Sequence, residues 1–276
     1  MSVKATILCE NSVFSNLGAI AEHGWSVFIE TENGNYLFDT GQGLALINNA
    51  RVFEKKLQGI KGIILSHHHI DHTGGLLSAL GSTGSVTVYS HPELFKESYL
   101  IRGAKTKFIG IPHRKEMLES AGAKFAYNTD FTEISSGMYL TGEVPRKNEF
   151  ELGDIDQVII YKGKFVRDLL LDDQSLIIDT DKGLFVILGC SHAGIINILD
   201  YAIEMTGKKH IHTVIGGTHL GPVTEEQRDK SIEELKKYDI SRIGVSHCTG
   251  MIASLKLAKE FKEKFFFCNV GTVIEL

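Results

Sequence analysis

Six consecutive positions, 67–72, of the stretch GIILSHHHIDHTGG hold four histidines and an aspartate behind an apolar run. No other feature constrains the fold so strongly, because groups that compete for protons and cations crowd into one turn where other parts of the chain converge on it. In an extended turn, side chains two positions apart face the same side. His67 and His69 therefore point together, Asp71 and His72 reach a second point nearby, and His68 turns away. The pattern provides for two adjacent metal positions. Imidazole suits zinc, iron, manganese or nickel, and one carboxylate in a mostly nitrogen shell leaves room for water.

The chain has 276 residues, near the upper size for one hydrophobic core, which predicts a single domain over 1–276. Its formal charge of −5 gives no global attraction to a polyanion, so neither a nucleic-acid partner nor a membrane surface is expected. The N-terminal stretch MSVKATILCENSVFSN lacks the long apolar segment of a secretory signal, and apolar runs such as LFVIL fall far short of the roughly 20 residues that span a bilayer; a cytoplasmic location is expected. Cys9, Cys190, Cys248 and Cys268 are widely spaced with no CxxC, which indicates neither a disulfide framework nor a zinc knuckle.

Short β-rich runs come first, and strands then alternate with helical patterns in LALINNARVFEKKL, GIINILDYAIEMTGK, TEEQRDKSIEELKKY and IASLKLAKEFKEKF, an α/β reading. Thr224 followed by Glu225, Glu226 and Gln227 reads as a capping box. Between about 92 and 172 the pattern loosens into short, turn-rich segments that suggest an inserted or covering region. Its basic residues Arg102, Lys105, Lys107, Arg114 and Lys115 either meet a substrate phosphate or carboxylate or form an ordinary solvated face. Four apolar runs end in a polar turn holding histidine: GIILSHHHIDH, LFVILGCSH, HTVIGGTHL and RIGVSHCTG. If their strands are neighbours, these turns share one crevice at the C-terminal strand ends. His91, before a proline, reads as a local helix cap; His113, His210 and His212 read as surface residues. FFFCNVGTV reads as an internal strand or as an exposed edge that pairs with another subunit, so a homodimer is compatible with the sequence.

SHHHIDHTGG resembles the HxHxDH signature of the metallo-β-lactamase fold superfamily, with His67, His69, Asp71 and His72 at the matching positions. NYLFDTGQG is similar to that superfamily's early strand ending in an aspartate, here Asp39, which supports a metal-bound histidine from behind. AEHGWSVFIET, LFDTG, SHHHIDHTGGL, GCSHAGIIN, IGGTHL and SHCTG resemble the successive motifs of a branch of metal-dependent hydrolases related to the archaeal dihydropterin-ribofuranosylaminobenzene phosphate synthase. His23 belongs to that pattern without an assigned chemistry. The resemblance implies an αββα sandwich of two mixed sheets with helices outside and the metal site along one edge.

Two departures bear on the ligands. Many relatives have a strand end reading GD, whose aspartate bridges two metals; here the matching end reads LGCSH, with Cys190 at that place. An upstream histidine turn is replaced by LDDQSL, with Asp172 or Asp173. By order along the chain His192 then fills the first metal position and His247 completes the second, while Cys190 is a thiolate bridge or a small buried cysteine. His219 matches a histidine that assists proton transfer in ribonuclease Z relatives, and is either that or a supporting hydrogen bonder. The centre holds one or two divalent transition ions, zinc foremost. The expected function is a metallohydrolase-like enzyme that uses a metal-bound hydroxide on a small anionic substrate, a phosphoester, ester or pterin- or folate-related molecule, with Asp71 and His219 catalytic. The alternatives are a ribonuclease Z-like nuclease, an iron-containing redox or electron-transfer protein on the same fold, and a catalytically silent ligand binder.

Overall fold

Strand Gly183–Ile187 shows why these apolar runs fold as they do: Phe185 and Ile187 join one buried cluster and Leu184 and Val186 join another. A strand covered on both faces must be apolar at every position, which is why the runs read as continuous rather than alternating. The computed structural model describes residues 1–14 and 17–276. Ser15 and Asn16, the end of the N-terminal stretch quoted above, lie outside the described residues.

Two seven-stranded mixed sheets form the centre. The first orders its strands Val273–Glu275, Val3–Cys9, Ser26–Thr31, Gly34–Phe38, Gly62–Ile64, Val86–Ser90 and Ala123–Tyr127. The second runs Phe265–Phe267, Asp239–Ser246, His210–Gly217, Gly183–Ile187, Leu176–Thr180, Met138–Leu140 and Thr132–Ser135. Between the sheets lies a core with Val27, Ile29, Phe38, Ile64, Ile178, Phe185 and Ile187. A second cluster packs helices Leu46–Val52, Leu76–Thr83 and Lys115–Ser120 on the outer face of the first sheet. A third packs Ile195–Thr206, Glu225–Leu235 and Gly250–Phe261 on the outer face of the second. This is the αββα arrangement expected from the sequence, and the two faces of each sheet bury enough apolar surface to fix it.

The four helical patterns are present, although LALINNARVFEKKL forms a helix only over Leu46–Val52. Glu54 has a φ of 55°, a left-handed conformation that ends the helix before the pattern runs out. Thr224 caps its helix by accepting from the Gln227 amide at 3.2 Å, and His91 accepts from the Glu93 amide at 3.1 Å beside Pro92. The reading of about 92–172 as one inserted or covering region is narrowed to part of that stretch. Ala123–Tyr127, Thr132–Ser135 and Met138–Leu140 belong to the two large sheets, and only Ser98–Arg102, Lys105–Phe108, Gln157–Tyr161 and Lys164–Arg167 form a separate four-stranded sheet. Phe265–Phe267 is an edge strand.

In the second sheet Gly183–Ile187, His210–Gly217, Asp239–Ser246 and Phe265–Phe267 run parallel in sequence, joined by the helices on its outer face. Their C-terminal ends therefore lie together at one edge, facing the end of Gly62–Ile64 in the other sheet. Three of the four histidine-bearing strands are neighbours and the fourth arrives from across the sandwich. Among the described residues no helix is long and apolar enough to cross a membrane.

Candidate metal centre

The histidine turn is set from beneath by Asp39. This residue ends Gly34–Phe38 with a φ of 56°, and its amide donates to the Ile64 carbonyl at 2.8 Å. Its carboxylate accepts from the Ser66 amide and hydroxyl, each at 2.7 Å, and lies 2.7 Å from His72 Nδ1. An Nδ1–H bound to carboxylate fixes the tautomer and leaves the His72 Nε2 lone pair facing the cleft. His68 turns away as expected: its Nδ1 and amide both meet the buried Asp172 carboxylate, at 2.7 and 2.8 Å. Lys96 joins the same carboxylate at 2.7 Å and Asp168 at 2.8 Å. Asp173 accepts from the Ala193 amide at 3.0 Å. Neither aspartate of LDDQSL belongs to a metal-capable group among the described residues.

From the facing sheet, Gly189 brings the LGCSH turn against Ser66 so closely that a Cβ there would fall 2.4 Å from the serine Cβ. Beyond it the chain is held in left-handed conformations at Ser191, His219 and His247, with φ of 65°, 54° and 52°. Such strain in residues other than glycine gathers at functional sites, where surrounding structure enforces it.

Two sets of ligand atoms result. His67 Nε2 lies 2.9 Å from His69 Nδ1, and His192 completes a group whose ligand atoms are all within 4.8 Å of one another. His72 Nε2 lies 3.3 Å from His247 Nε2 and 3.1 Å from Cys190 Sγ. Asp71 Oδ2 is 3.1 Å from His247 Nε2 and 3.2 Å from His23 Nε2. Cys190 belongs to three of the five metal-capable groups among the described residues, including one with His192 and His219.

Burial, reinforced by the neighbouring imidazoles, holds His67 and His69 well below the usual histidine range, so both keep free lone pairs at neutral pH. Burial opposes ionisation of Asp71, yet the bonds from His23 and His247 hold its carboxyl well below its usual range. Burial likewise opposes charge on His72, but Asp39 and Asp71 raise it to about 9. Without a cation, that ring carries the positive charge. The donor set of imidazole, carboxylate and thiol, with no lysine or arginine among it, fits a transition ion. So does the buried His192 Nε2, which has no hydrogen-bond partner, while its Nδ1 is held by Asp154 at 2.7 Å.

The structure thus brings together His67, His69, Asp71, His72, His192, His247 and Cys190, and sets Asp39 behind His72. His219 packs at a tilt of 52° against His192, ring centroids 4.2 Å apart, with Nε2 2.9 Å from Asp154. Burial opposes its charge, but Asp154 and Cys248 raise it to about 10. Sequence reasoning missed three participants. His23, its side chain 61 % exposed, had been left without chemistry. Cys248 is adjacent to His247, and that adjacency was the available signal. Asp154, whose carboxyl His192 and His219 hold far below its usual range against the effect of burial, comes from an aperiodic loop that offered none. His113, His210 and His212 are partly exposed, in keeping with the surface reading, beside the Gly74 carbonyl at 3.3 Å, Asp239 at 2.9 Å and the Thr213 hydroxyl at 2.8 Å.

Above the two sets opens a cavity of about 690 Å³. Its walls are apolar at Leu100, Ile109, Leu152, Ile155 and Val223, and polar at Gln42, Gln157 and Gln227. Of the basic stretch, Arg102 and Lys107 line it and Lys105, Arg114 and Lys115 do not.

Fold and site together define a member of the metallo-beta-lactamase superfamily, and the chain belongs to it: the family model matches residues 19–192. It is 30% identical to the 7,8-dihydropterin-6-methyl-4-(beta-D-ribofuranosyl)-aminobenzene-5'-phosphate synthase of Methanocaldococcus jannaschii, over 99% of this chain and 97% of that protein. An uncharacterized protein of the same organism is 33% identical over 97% of this chain and 98% of its own length. Among solved structures, Tm1679, described as a metal-dependent hydrolase of the beta-lactamase superfamily, superposes with a TM-score of 0.85 at 28% identity, covering 99% of both chains.

Proposed function

We propose that this protein is a metal-dependent hydrolase-like enzyme that holds two divalent transition ions, zinc foremost, and acts on a small anionic molecule. The observation that carries the reading is the convergence of His67, His69 and His192, and of Asp71, His72 and His247, on one floor beneath a cavity of about 690 Å³. A cavity of that size encloses a molecule of a few hundred daltons. Divalent cations held there supply Lewis acidity to a substrate oxygen and to the water that attacks it.

The chain's own residues account for the rest. Arg102 and Lys107 meet a phosphate or carboxylate at the rim, and the apolar wall lies against an aromatic ring system. Asp71 keeps its charge at neutral pH and orients the attacking group. His219, raised to about 10, is protonated at neutral pH; its Nε2–H holds Asp154, which in turn holds His192 Nδ1, so this pair fixes the direction in which His192 Nε2 points. A pterin- or folate-related substrate, or attack on a ribosyl phosphate, follows from the likeness to the synthase named above.

Elemental analysis of untagged wild type, His192→Ala and His247→Ala tests the centre. About two equivalents in the wild type, with one lost in each variant, is expected. Full metal in both variants overturns the assignment, and a single equivalent of iron shifts the reading to redox chemistry.

A further inference from the structure

The hydrolase reading uses the imidazoles and Asp71 but gives no role to two sulfurs in the same wall. Cys190 lies just beyond Gly183–Ile187 and Cys248 just beyond Asp239–Ser246, strands separated in the sheet by His210–Gly217. Side chains on strands two apart are held away from each other by whatever the middle strand places between them. Here the middle strand ends in Gly217, where a Cβ would fall 2.5 Å from Cys248 Sγ and 2.6 Å from the Gly189 carbonyl. The missing side chain lets the two cysteines close over it, and Cys248 Sγ comes to 3.4 Å from the Cys190 carbonyl.

Their surroundings differ from those of a packing cysteine. Cys9 and Cys268 sit within apolar clusters. Cys190 Sγ instead lies 3.1 Å from His72 Nε2, and its sulfur shares metal-capable groups with His67 and His72, with His192 and His219, and with His247 and Cys248. Both cysteines are unoxidised and both line the cavity.

We propose that both thiols are metal ligands, the Cys190 sulfur shared between the two cation positions and the Cys248 sulfur terminal on the His72–His247 side. The inference rests on the metal-centre reading above. Each sulfur gives up its proton to solvent as the sulfur–metal bond forms, and no oxidation state changes. Thiolate makes the centre selective for zinc, iron(II) or cobalt(II) over magnesium, calcium or manganese.

The test is anaerobic loading of the chelated full-length protein with cobalt(II), followed by absorption spectroscopy. A sulfur-to-cobalt charge-transfer band in the near ultraviolet is expected in the wild type, reduced in Cys248→Ser and in Cys190→Ser, and lost when both are replaced. Bound cobalt with ligand-field bands but no sulfur band overturns the thiolate assignment and leaves the metal centre standing; no bound cobalt overturns both. Because Cys190→Ser risks misfolding, the wild type is also alkylated with iodoacetamide with and without zinc and mapped by mass spectrometry. Protection of Cys190 and Cys248 by zinc is expected, and equal labelling in both conditions overturns the proposal.

Discussion

Asp39→Asn is the sharpest probe of how the centre is held. Asparagine is nearly isosteric and tolerates the left-handed φ of 56° at this position, so the fold is expected to survive. The amide oxygen still accepts from the Ser66 amide, now at 2.7 Å, and the Ser66 hydroxyl can rotate. The contact to His72 Nδ1, at 2.7 Å, cannot be kept in the same sense, because an amide NH₂ now faces a ring N–H. To regain a bond, His72 must move its proton to Nε2, the atom 3.1 Å from Cys190 Sγ and 3.3 Å from His247 Nε2. That cancels its lone pair in the cleft. The loss is one hydrogen bond to a charged group, about 1.5–3 kcal/mol, which corresponds to roughly 10–100-fold weaker retention of one ion, the range seen when a ligand histidine loses its carboxylate partner. Competition with a chromophoric chelator, read metal by metal, measures it, and the melting temperature of the chelated variant separates ligand loss from fold loss. Two ions held with wild-type affinity would refute the argument that Asp39 sets the tautomer.

Gly189→Ala places a methyl 2.4 Å from Ser66 Cβ and Oγ; about 1–3 kcal/mol of destabilisation together with weakened metal retention is expected, and a chemical melt matching wild type contradicts the contact. Phe185→Ala empties a fully buried place between the sheets and is expected to cost about 3–5 kcal/mol, read from urea midpoints at constant m-value. The Glu151 carboxyl is lifted above its usual range by burial, against its bonds from the Ile196 amide, Asn148 and the Asn197 amide. The native state therefore binds this proton more readily than the unfolded chain. Its contribution to stability is complete below about pH 4.3 and is lost as pH rises through the native value. Glu151→Gln should remove that segment of the pH–stability curve of chelated protein, and a curve of unchanged shape counts against it.

What was legible in the sequence was local. SHHHIDH carries its candidate ligands within six positions, so turn geometry already grouped them, whereas the place of Asp39 behind a histidine came from the resemblance of LFDTG to the superfamily's early strand end. His192 and His247 were reachable because each follows an apolar run ending in a polar turn. Asp154 was not: it reaches His192 across 38 positions from a loop without periodicity, and nothing local marks a residue whose partner is so distant. Cys248 was overlooked because its meeting with Cys190 depends on an absent side chain at Gly217, a property of the sheet rather than of either motif. Ala123–Tyr127, Thr132–Ser135 and Met138–Leu140 were not recognised as strands of the large sheets because they are three to five residues long and only partly buried, too short to display a period. Helices of twelve residues such as Ile195–Thr206 were legible because three turns repeat the apolar spacing.

Each proposed cation position draws on both halves of the sandwich: the turn after Gly62–Ile64 supplies one side, and the turns after Gly183–Ile187 and Asp239–Ser246 supply the other. Neither sheet alone presents a complete cage. During folding, tight metal binding must therefore wait until the two sheets have docked, and an ion once bound resists their separation as a rivet does, by about 4 kcal/mol when free metal stands a thousandfold above its dissociation constant. Metal occupancy thus reports on sheet docking itself, and release of the ion times the moment at which the two layers part.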